Sequence, residues 1–178
     1  DVPLRPMKAT KGKVVEVFDD IGEDEVLADY KYDGFRIQVH KNGDDVRLFT
    51  RRLEDVTDSL PDIVEIVNES VDAENVILDG EVVGYQSKEY EEPLDYQKTQ
   101  KRIRRKYDID EMVDEIPVKP KLFDVLYLDE DGGLLIDESL EDRIDSLNSV
   151  CKSDIVAEQR NCSTVKEVQE LMSDAEKD

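Results

Sequence analysis

The sequence predicts an α+β fold built from two mainly antiparallel β-sheets with flanking helices. Strand-like segments outnumber the strand–helix–strand alternations of a parallel sheet, and an Asn-Gly turn joins two of them into a hairpin. Amphipathic segments that begin at capping residues follow these strands. At 178 residues, the chain can form one domain with its own core or two thin lobes around a cleft.

The hairpin lies in the first third of the chain. Residues 25–32 and 35–41 have the composition of strands, and the second segment alternates apolar with polar side chains. The turn at 42–45 leads into a returning strand at 46–51, because both residues of Asn-Gly readily adopt the positive φ angles that such turns need.

A helix and a strand follow the hairpin. Asp58 or Ser59 is expected to cap a helix over 60–71, which tolerates Pro61 in its first turn. Residues 75–85 are apolar on both faces of a strand, which predicts a central position in the sheet.

The second half of the chain alternates helices and strands. In order, we expect a basic helix over 94–107, a short acidic helix over 108–116, a buried strand over 119–129, a turn over 130–133, a helix over 140–150, a strand over 154–160 and a final helix over 165–177. Ser139 and Thr164 each begin a capping-box pattern, with an acidic residue three positions later.

The chain is strongly acidic, with 46 acidic and 24 basic residues and a net charge of −22. Such a surface repels nucleic acid over long range at low salt, which argues against a DNA-binding protein. An acidic surface is also typical of proteins adapted to high intracellular salt, where the repulsion is screened within a few ångströms. Composition leaves both explanations open.

Several features concern the compartment of the protein. No apolar run is long enough to span a membrane, and we expect no signal peptide. Cys151 and Cys162 form no C-x-x-C pair, so we expect free cysteines in a reducing cytoplasm rather than a zinc site or a disulfide scaffold. His40, the one histidine, is expected to be a strand or surface residue rather than a catalytic base.

Lys31 is the most unusual residue of the first predicted strand. It stands in YKYDGFR, residues 30–36, where a buried strand would carry an apolar side chain. A lysine amine is almost fully protonated at neutral pH, so a nucleophilic lysine needs cationic neighbours or desolvation. If the hairpin forms, Arg36, Arg51 and Arg52 can converge on Lys31, and guanidinium forks also bind phosphate bidentately.

Two acidic side chains and an aromatic ring complete this group of candidates. Asp33 follows Lys31 closely, and Glu81 lies in the middle of the strand over 75–85. Carboxylates beside phosphates usually hold magnesium or a ribose hydroxyl, and the ring of Phe123 can stack on a base. The structural alternative is a plain hairpin, because Lys-x-Asp-Gly-x-Arg is a common turn composition and Phe123 can be a core residue.

Four motifs in order resemble the ATP-dependent DNA ligases, particularly the archaeal replicative type. They are YKYDGFR, LFTRRLEDVT, LDGEVVGY and LFDVLYLD, and the segment DYQKTQKRIRRKYDIDEMVDEIPV resembles the corresponding archaeal segment. The resemblance covers essentially the whole chain. It implies an ATP-grasp-like nucleotidyltransferase domain with a nucleotide cleft between its sheets and Lys31 at the floor of the cleft.

The resemblance also implies a role for each candidate. Lys31 would attack the α-phosphate of ATP to form lysyl-AMP and release pyrophosphate, while Asp33 would orient the nucleophile and its metal. Arg36 and Arg51 would grip ribose and phosphate, Glu81 would contact the ribose or the metal, and Phe123 would stack on adenine. Asp29 stands where the family usually has a glutamate that reads the adenine amino group. Mg²⁺ would be held by Glu81 and Asp33.

In the family, AMP then passes to the 5′-phosphate of a DNA nick, and the 3′-hydroxyl displaces it to seal the strand in replication, repair and recombination. The implied partners are ATP, nicked double-stranded DNA and a sliding clamp bound through an upstream domain. Residues 1–178 would form a partial adenylation domain, without the family's C-terminal lysine motifs, its N-terminal DNA-binding domain or its C-terminal OB-fold. We therefore expect a fragment of a cytoplasmic, salt-adapted archaeal ligase that is incomplete for catalysis by itself.

Two alternatives to a DNA ligase stay open on sequence grounds. An RNA ligase or an mRNA-capping guanylyltransferase uses a similar lysine signature, and a preference for ATP or GTP would separate the capping enzyme. A non-catalytic acidic module that keeps the fold and binds nucleotide or protein would form no lysine-dependent adduct.

A basic segment stands out in the acidic chain. Its residues are Lys98, Lys101, Arg102, Arg104, Arg105 and Lys106. Contact with the DNA backbone or with another domain is one interpretation, and a solvated helix face is the other. We favour the contact.

Overall fold

The computed structural model describes Leu4, residues 9–104 and residues 108–175. The chain divides into two compact units. The large unit comprises Asp1–Arg5 and Tyr32–Val156, and the small unit comprises Pro6–Lys31 and Ala157–Asp178.

Both units combine strands and helices. The strands are β1 (Val26–Asp29), β2 (Phe35–Asn42), β3 (Asp45–Thr50), β4 (Asn75–Gly84), β5 (Val118–Leu128), β6 (Gly133–Leu134) and β7 (Gln159–Cys162). The helices are α1 (Val17–Ile21), α2 (Pro61–Ser70), α3 (Tyr96–Thr99), α4 (Lys101–Arg104), α5 (Ile109–Glu115), α6 (Leu140–Val150) and α7 (Val165–Ala175).

The large unit is built on a five-stranded antiparallel sheet in the order β3-β2-β4-β5-β6. The predicted central strand, β4, lies in the middle of this sheet. Side chains alternate between the two faces of a strand, so Ile37, Val39 and Leu78 all point to one face and are fully buried. Helices α2 and α6 pack against β3 and β5 and add Ile63 and Leu147 to the same core.

The small unit contains a two-stranded antiparallel sheet of β1 and β7, together with α1 and α7. Val26 and Cys162 pair across this sheet and are buried, and Leu171 of α7 is buried as well. The predicted α+β class with two antiparallel sheets is therefore confirmed.

Local signals gave the correct position for most elements. Ser139 Oγ accepts a hydrogen bond from the backbone N–H of Asp142 at 3.1 Å, as its capping-box pattern predicts. Ahead of α7 the capping box is complete, because the backbone N–H of Thr164 donates to Glu167 Oε2 and the backbone N–H of Glu167 donates to Thr164 Oγ1. In the hairpin, only Gly43 has a positive φ, of 57°. The positive φ angle predicted for Asn42 was wrong, because Asn42 is the last residue of β2 and pairs with Asp45, the first residue of β3.

Three predicted boundaries were wrong. Leu60 is the N-cap residue of α2 without a side-chain bond, because the expected caps, Asp58 and Ser59, belong to a 3-10 turn. The basic helix is divided into α3 and α4, while residues 105–107 lie outside the described residues. The first strand ends at Asp29, before the chain enters the large unit.

The strand predicted over 154–160 was also wrong. Ile155 is buried in the core of the large unit, whereas β7 begins only at Gln159 in the small unit. The chain passes from one unit to the other after Val156, so the buried residues Ile155 and Ala157 belong to different units.

Arg102 of the basic segment is buried, which contradicts the view of that segment as a single contact surface. Its side chain is 0% exposed, and its Nη2 donates a hydrogen bond of 2.6 Å to Asp62 Oδ1 in the first turn of α2. Its Nε and Nη1 atoms have no hydrogen-bond partner. Burial lowers the pKa of Arg102 and raises that of Asp62, while their mutual attraction opposes both shifts.

The other described side chains of the basic segment, those of Lys98 and Lys101, are exposed, unlike that of Arg102. The side chain of Arg104, together with Arg105 and Lys106, lies outside the described residues, so the favoured DNA or interdomain contact stays a prediction for the remaining residues.

Replacing Arg102 with Met is expected to lower the free energy of unfolding by about 3–5 kcal/mol, because it leaves the carboxylate of Asp62 buried without its partner. The exposed neighbour Lys101 supplies the control, since Lys101→Met should change stability by less than about 0.5 kcal/mol. Urea unfolding followed by circular dichroism measures both. An Arg102→Met, Asp62→Asn double variant should recover much of the loss, and a double variant as unstable as Arg102→Met would contradict the ion-pair explanation.

Candidate active site

An ion pair between Arg36 and Asp79 lies on the polar face of the five-stranded sheet. Arg36 Nε donates to Asp79 Oδ1 at 2.8 Å, and Arg36 Nη2 donates to Asp79 Oδ2, so the pair is bidentate. The side chain of Asp79 is 5% exposed and that of Arg36 is 31% exposed. Burial raises the pKa of Asp79, and the hydrogen bonds and charge of Arg36 oppose this shift.

Phe123 lies on this face beside an irregularity of β5. In the ladder between β4 and β5, Gly80 pairs with Leu122 and Asp79 pairs with Asp124, so the register shifts by one residue at Phe123. Such bulges redirect side chains and are frequent beside active sites. The guanidinium carbon of Arg36 lies over the Phe123 ring, 5.4 Å from its centroid.

Glu81 completes the cluster on this face. It is the direct cross-strand partner of Arg36 and is half-buried. The structure therefore brings together Arg36, Glu81 and Phe123, around an arginine that Asp79 holds in place. This arrangement provides a cation, a carboxylate and an aromatic ring within one small area.

The chain directly before Arg36 is also fixed. A Cβ atom at Gly34 would lie 2.1 Å from the carbonyl oxygen of Val82 on β4, so only glycine allows this close approach. The carboxylate of Asp33 accepts a hydrogen bond of 3.0 Å from the backbone N–H of Tyr96, the first residue of α3. One oxygen of Asp33 is thus engaged with the chain itself.

The remaining candidates belong to other segments of the chain. Arg51 is exposed directly after β3, whose last residue, Thr50, pairs with Ile37. Asp29 ends β1 in the small unit, and Lys31 follows it as an exposed residue.

The described residues contain no group of three or more His, Cys, Asp or Glu side chains that could hold a metal ion. Magnesium bound with a nucleotide needs only one or two carboxylates, because phosphate oxygens and water complete its shell. Half-buried Glu81 and exposed Asp33 fit this limited requirement.

Sequence reasoning missed Asp79 and Lys121. An ionised side chain in the middle of a core strand is costly and therefore indicates a function. This argument was applied to Glu81, but it also applies to Asp79, which lies two residues earlier and is more deeply buried. Lys121 gave no comparable signal. It is the cross-strand partner of Glu81, and its Nζ lies 5.8 Å from the centroid of the Tyr32 ring.

The histidine and the cysteines occupy structural positions. His40 is half-buried on β2, packs edge-on against Phe49, and shares a hydrogen bond of 3.0 Å with Gln38. Cys151 and Cys162 are free, as predicted, and both are buried. Burial raises the pKa of the Cys151 thiol to about 12.

This fold with its lysine signature defines a nucleotidyltransferase domain. A solved structure titled mycobacterial DNA ligase D complexed with ATP and MES is similar, with a TM-score of 0.59 and 27% identity over 88% of this chain and 46% of that one. Residues 6–178 match the family of the ATP dependent DNA ligase domain. The chain therefore belongs to the ATP-dependent DNA ligase domain family.

Archaeal relatives agree with this assignment. The DNA ligase of Methanothrix thermoacetophila is 43% identical over 173 residues, and that of Methanococcoides burtonii is 41% identical over 175 residues. This chain spans only 30% and 28% of the lengths of these relatives. In the described part of the chain, no helix has the length and apolar character required to cross a membrane.

Replacing Arg36 with Met is expected to destabilise the large unit by about 3 kcal/mol near neutral pH, because Asp79 then stays buried without its cationic partner. The raised pKa of Asp79 gives this loss a pH dependence. As pH falls below the folded-state pKa of Asp79, protonation removes the buried charge, so the difference from the wild type should shrink. Urea unfolding at several pH values measures it.

Arg47→Met is the matched control, because Arg47 is 61% exposed and its nearest ion pairs are 4.0 Å long. We expect a change below about 0.5 kcal/mol at every pH. An Arg36→Met loss that stays constant with pH would contradict the role of Asp79.

Proposed function

We propose that this chain is the adenylation domain of an ATP-dependent DNA ligase and that Lys31 is its nucleophile. The observation that supports this most directly is the cluster of Arg36, Glu81 and Phe123, which lies within the YKYDGFR, LDGEVVGY and LFDVLYLD motifs of a chain that belongs to the ligase family.

The proposed reaction is the transfer of AMP from ATP to Lys31. The neutral amine of Lys31 attacks the α-phosphorus, a P–N bond forms, and the bond from the α-phosphorus to the bridging oxygen breaks. Pyrophosphate leaves, and the amine proton passes to solvent. A nucleophilic lysine is favoured by cationic neighbours, and Arg36 and Arg51 are the proposed ones.

The cluster on the polar face would bind the nucleotide. Phe123, whose ring lies against the guanidinium of Arg36, would stack on adenine. Arg36 and Arg51 would bind ribose and phosphate oxygens, and Arg36 is already oriented by its bidentate pair with Asp79. Asp29, one methylene shorter than glutamate, would contact the adenine amino group.

Magnesium is the proposed metal, with Glu81 and Asp33 as its protein ligands. When bound, it would neutralise the negative charge on the transferring phosphates. Asp33 can offer one oxygen, because the other accepts the hydrogen bond from Tyr96.

The wider activity is that of the longer relatives and is proposed here by similarity. AMP would pass from Lys31 to the 5′-phosphate of a DNA nick, and the 3′-hydroxyl would seal it, in replication, repair and recombination. A DNA-binding domain, an OB-fold and a contact with a sliding clamp would be supplied by other parts of such a ligase. The net charge of −22 supports a salt-adapted protein, and the free cysteines Cys151 and Cys162 support a cytoplasmic one.

The family match favours this function over the alternatives. RNA ligases and capping guanylyltransferases share the lysine signature, but the relatives from Methanothrix thermoacetophila and Methanococcoides burtonii are DNA ligases. A non-catalytic module would keep the fold without any adduct on Lys31.

The test is the intact mass of the chain after incubation with ATP and Mg²⁺ in high salt. We expect a gain of one AMP that is absent from Lys31→Ala and is not formed with GTP. Lys13→Ala is the matched control, because Lys13 is an exposed lysine of the same unit and should leave the gain unchanged.

Two results would contradict the proposal. One is an adduct of equal yield in Lys31→Ala, which would place the modification on another residue. The other is the absence of any adduct even when the chain is extended to include the family's C-terminal lysine motifs, which would favour the non-catalytic module.

A further inference from the structure

We propose that Lys121 of β5 is a positioning residue for Lys31, acting through Tyr32. This inference rests on the proposed function, because it assumes that Lys31 is the nucleophile. Within the described residues, the chain passes between the two units at Lys31–Tyr32 and again at Val156–Ala157. Lys121 contacts the large unit beside both of these passages, at Tyr32 and at Asp154.

The first passage leads to Tyr32, the residue after Lys31. The Nζ atom of Lys121 lies 5.8 Å from the centroid of the Tyr32 ring, which is a cation–π contact. Tyr32 is the first residue of the large unit after this passage, and Lys31 is the last residue of the small unit before it. Holding the Tyr32 ring therefore restrains the peptide bond that joins it to Lys31.

The second passage follows Val156, where the chain returns to the small unit. Lys121 Nζ donates a hydrogen bond of 3.2 Å to the carbonyl oxygen of Asp154. The next residue of β5, Leu122, donates its backbone N–H to the carbonyl of Ile155 at 2.7 Å and pairs with Val156. One short stretch of β5 thus contacts the large unit beside both passages.

The chain after Tyr32 is held by other elements. Asp33 is bound to the backbone N–H of Tyr96, and Gly34 lies directly against the carbonyl of Val82. These anchors do not involve Lys121. A substitution at Lys121 therefore removes the contact with Tyr32 and leaves the contacts of Asp33 and Gly34 in place.

This restraint matters because nucleophilic attack needs an accurately placed amine. A displacement of about 1 Å can lower a rate by a factor on the order of 100. Lys121 is not proposed to touch the nucleotide. Its effect on the reaction is transmitted through the position of the Tyr32–Lys31 peptide.

Lys119 offers a close comparison. It lies two residues before Lys121 on β5, and its Nζ also reaches Asp154, at 2.7 Å from the carboxylate. Its cation–π partner is Tyr90, at 5.2 Å, rather than Tyr32. Lys119 therefore contacts Asp154, as Lys121 does, but its aromatic partner is Tyr90 and not Tyr32.

The experiment compares Lys121→Met, Lys121→Arg and Lys119→Met in two measurements. The first is hydrogen–deuterium exchange of peptides that cover residues 28–35 and 152–158, without nucleotide. The second is the rate constant of AMP transfer at saturating ATP, together with the KM for ATP.

We expect Lys121→Met to increase exchange in the peptide over 28–35 and to lower the rate constant roughly tenfold with little change in KM. Arginine keeps a cation over the ring and a donor for the carbonyl, so Lys121→Arg should restore most of the rate. Lys119→Met should leave exchange over 28–35 unchanged and alter the rate by less than about twofold.

A double-mutant cycle with Tyr32→Leu tests the route of the effect. If Lys121 acts through Tyr32, Lys121→Met adds little to the loss caused by Tyr32→Leu. Fully additive losses would overturn the proposal, and so would equal losses in Lys121→Met and Lys119→Met or a failure of Lys121→Arg to restore the rate.

The two measurements separate this inference from the proposed function. If the wild-type chain forms no AMP adduct, the adenylation proposal fails in its own test, and the exchange data still decide whether Lys121 anchors Tyr32. Unchanged exchange over 28–35 in Lys121→Met would then overturn the anchoring. If the adduct forms normally in Lys121→Met, the inference fails while the proposed function stands.

Discussion

The ion pair between Arg36 and Asp79 is the interaction on which the rest of the candidate site depends. Asp79 is buried in the middle of β4, where an unpaired carboxylate would be costly, so the bidentate contact with Arg36 is needed for stability as well as orientation. The same contact fixes the guanidinium over Phe123 and beside Glu81. A residue that the ligase resemblance links to nucleotide binding is thus also part of the fold.

Strand alternation explains why these side chains meet. With a period of two, Ile37 and Leu78 enter the apolar core, while Arg36 and Asp79 point to the opposite face. Phe123 follows the same alternation two residues after Lys121, the cross-strand partner of Glu81, and its ring lies against Arg36. The register shift that follows brings Asp124 opposite Asp79. Regular alternation therefore provides both the charges and the ring of this cluster.

Local signals in the sequence could predict the hairpin, the central strand and the capped helices, because caps, turns and periodicity depend on neighbouring residues. The burial of Arg102, the pairing of Asp79 and the contact of Lys121 with Tyr32 depend on residues about 40 or more positions away, or on another strand. No periodic pattern records such contacts. The prediction of a strand over 154–160 was wrong for a related reason, since its buried residues Ile155 and Ala157 belong to different units.

The spacing of the YKYDGFR motif has a structural explanation that is compatible with its proposed chemistry. Lys31 ends the small unit, and each of the next three residues contacts a different element of the large unit: Tyr32 contacts β5, Asp33 contacts α3, and Gly34 contacts β4. A turn composition and a catalytic signature are therefore not competing interpretations of this stretch. The turn fixes the chain immediately beyond the lysine, and a nucleophile requires such a fixed position.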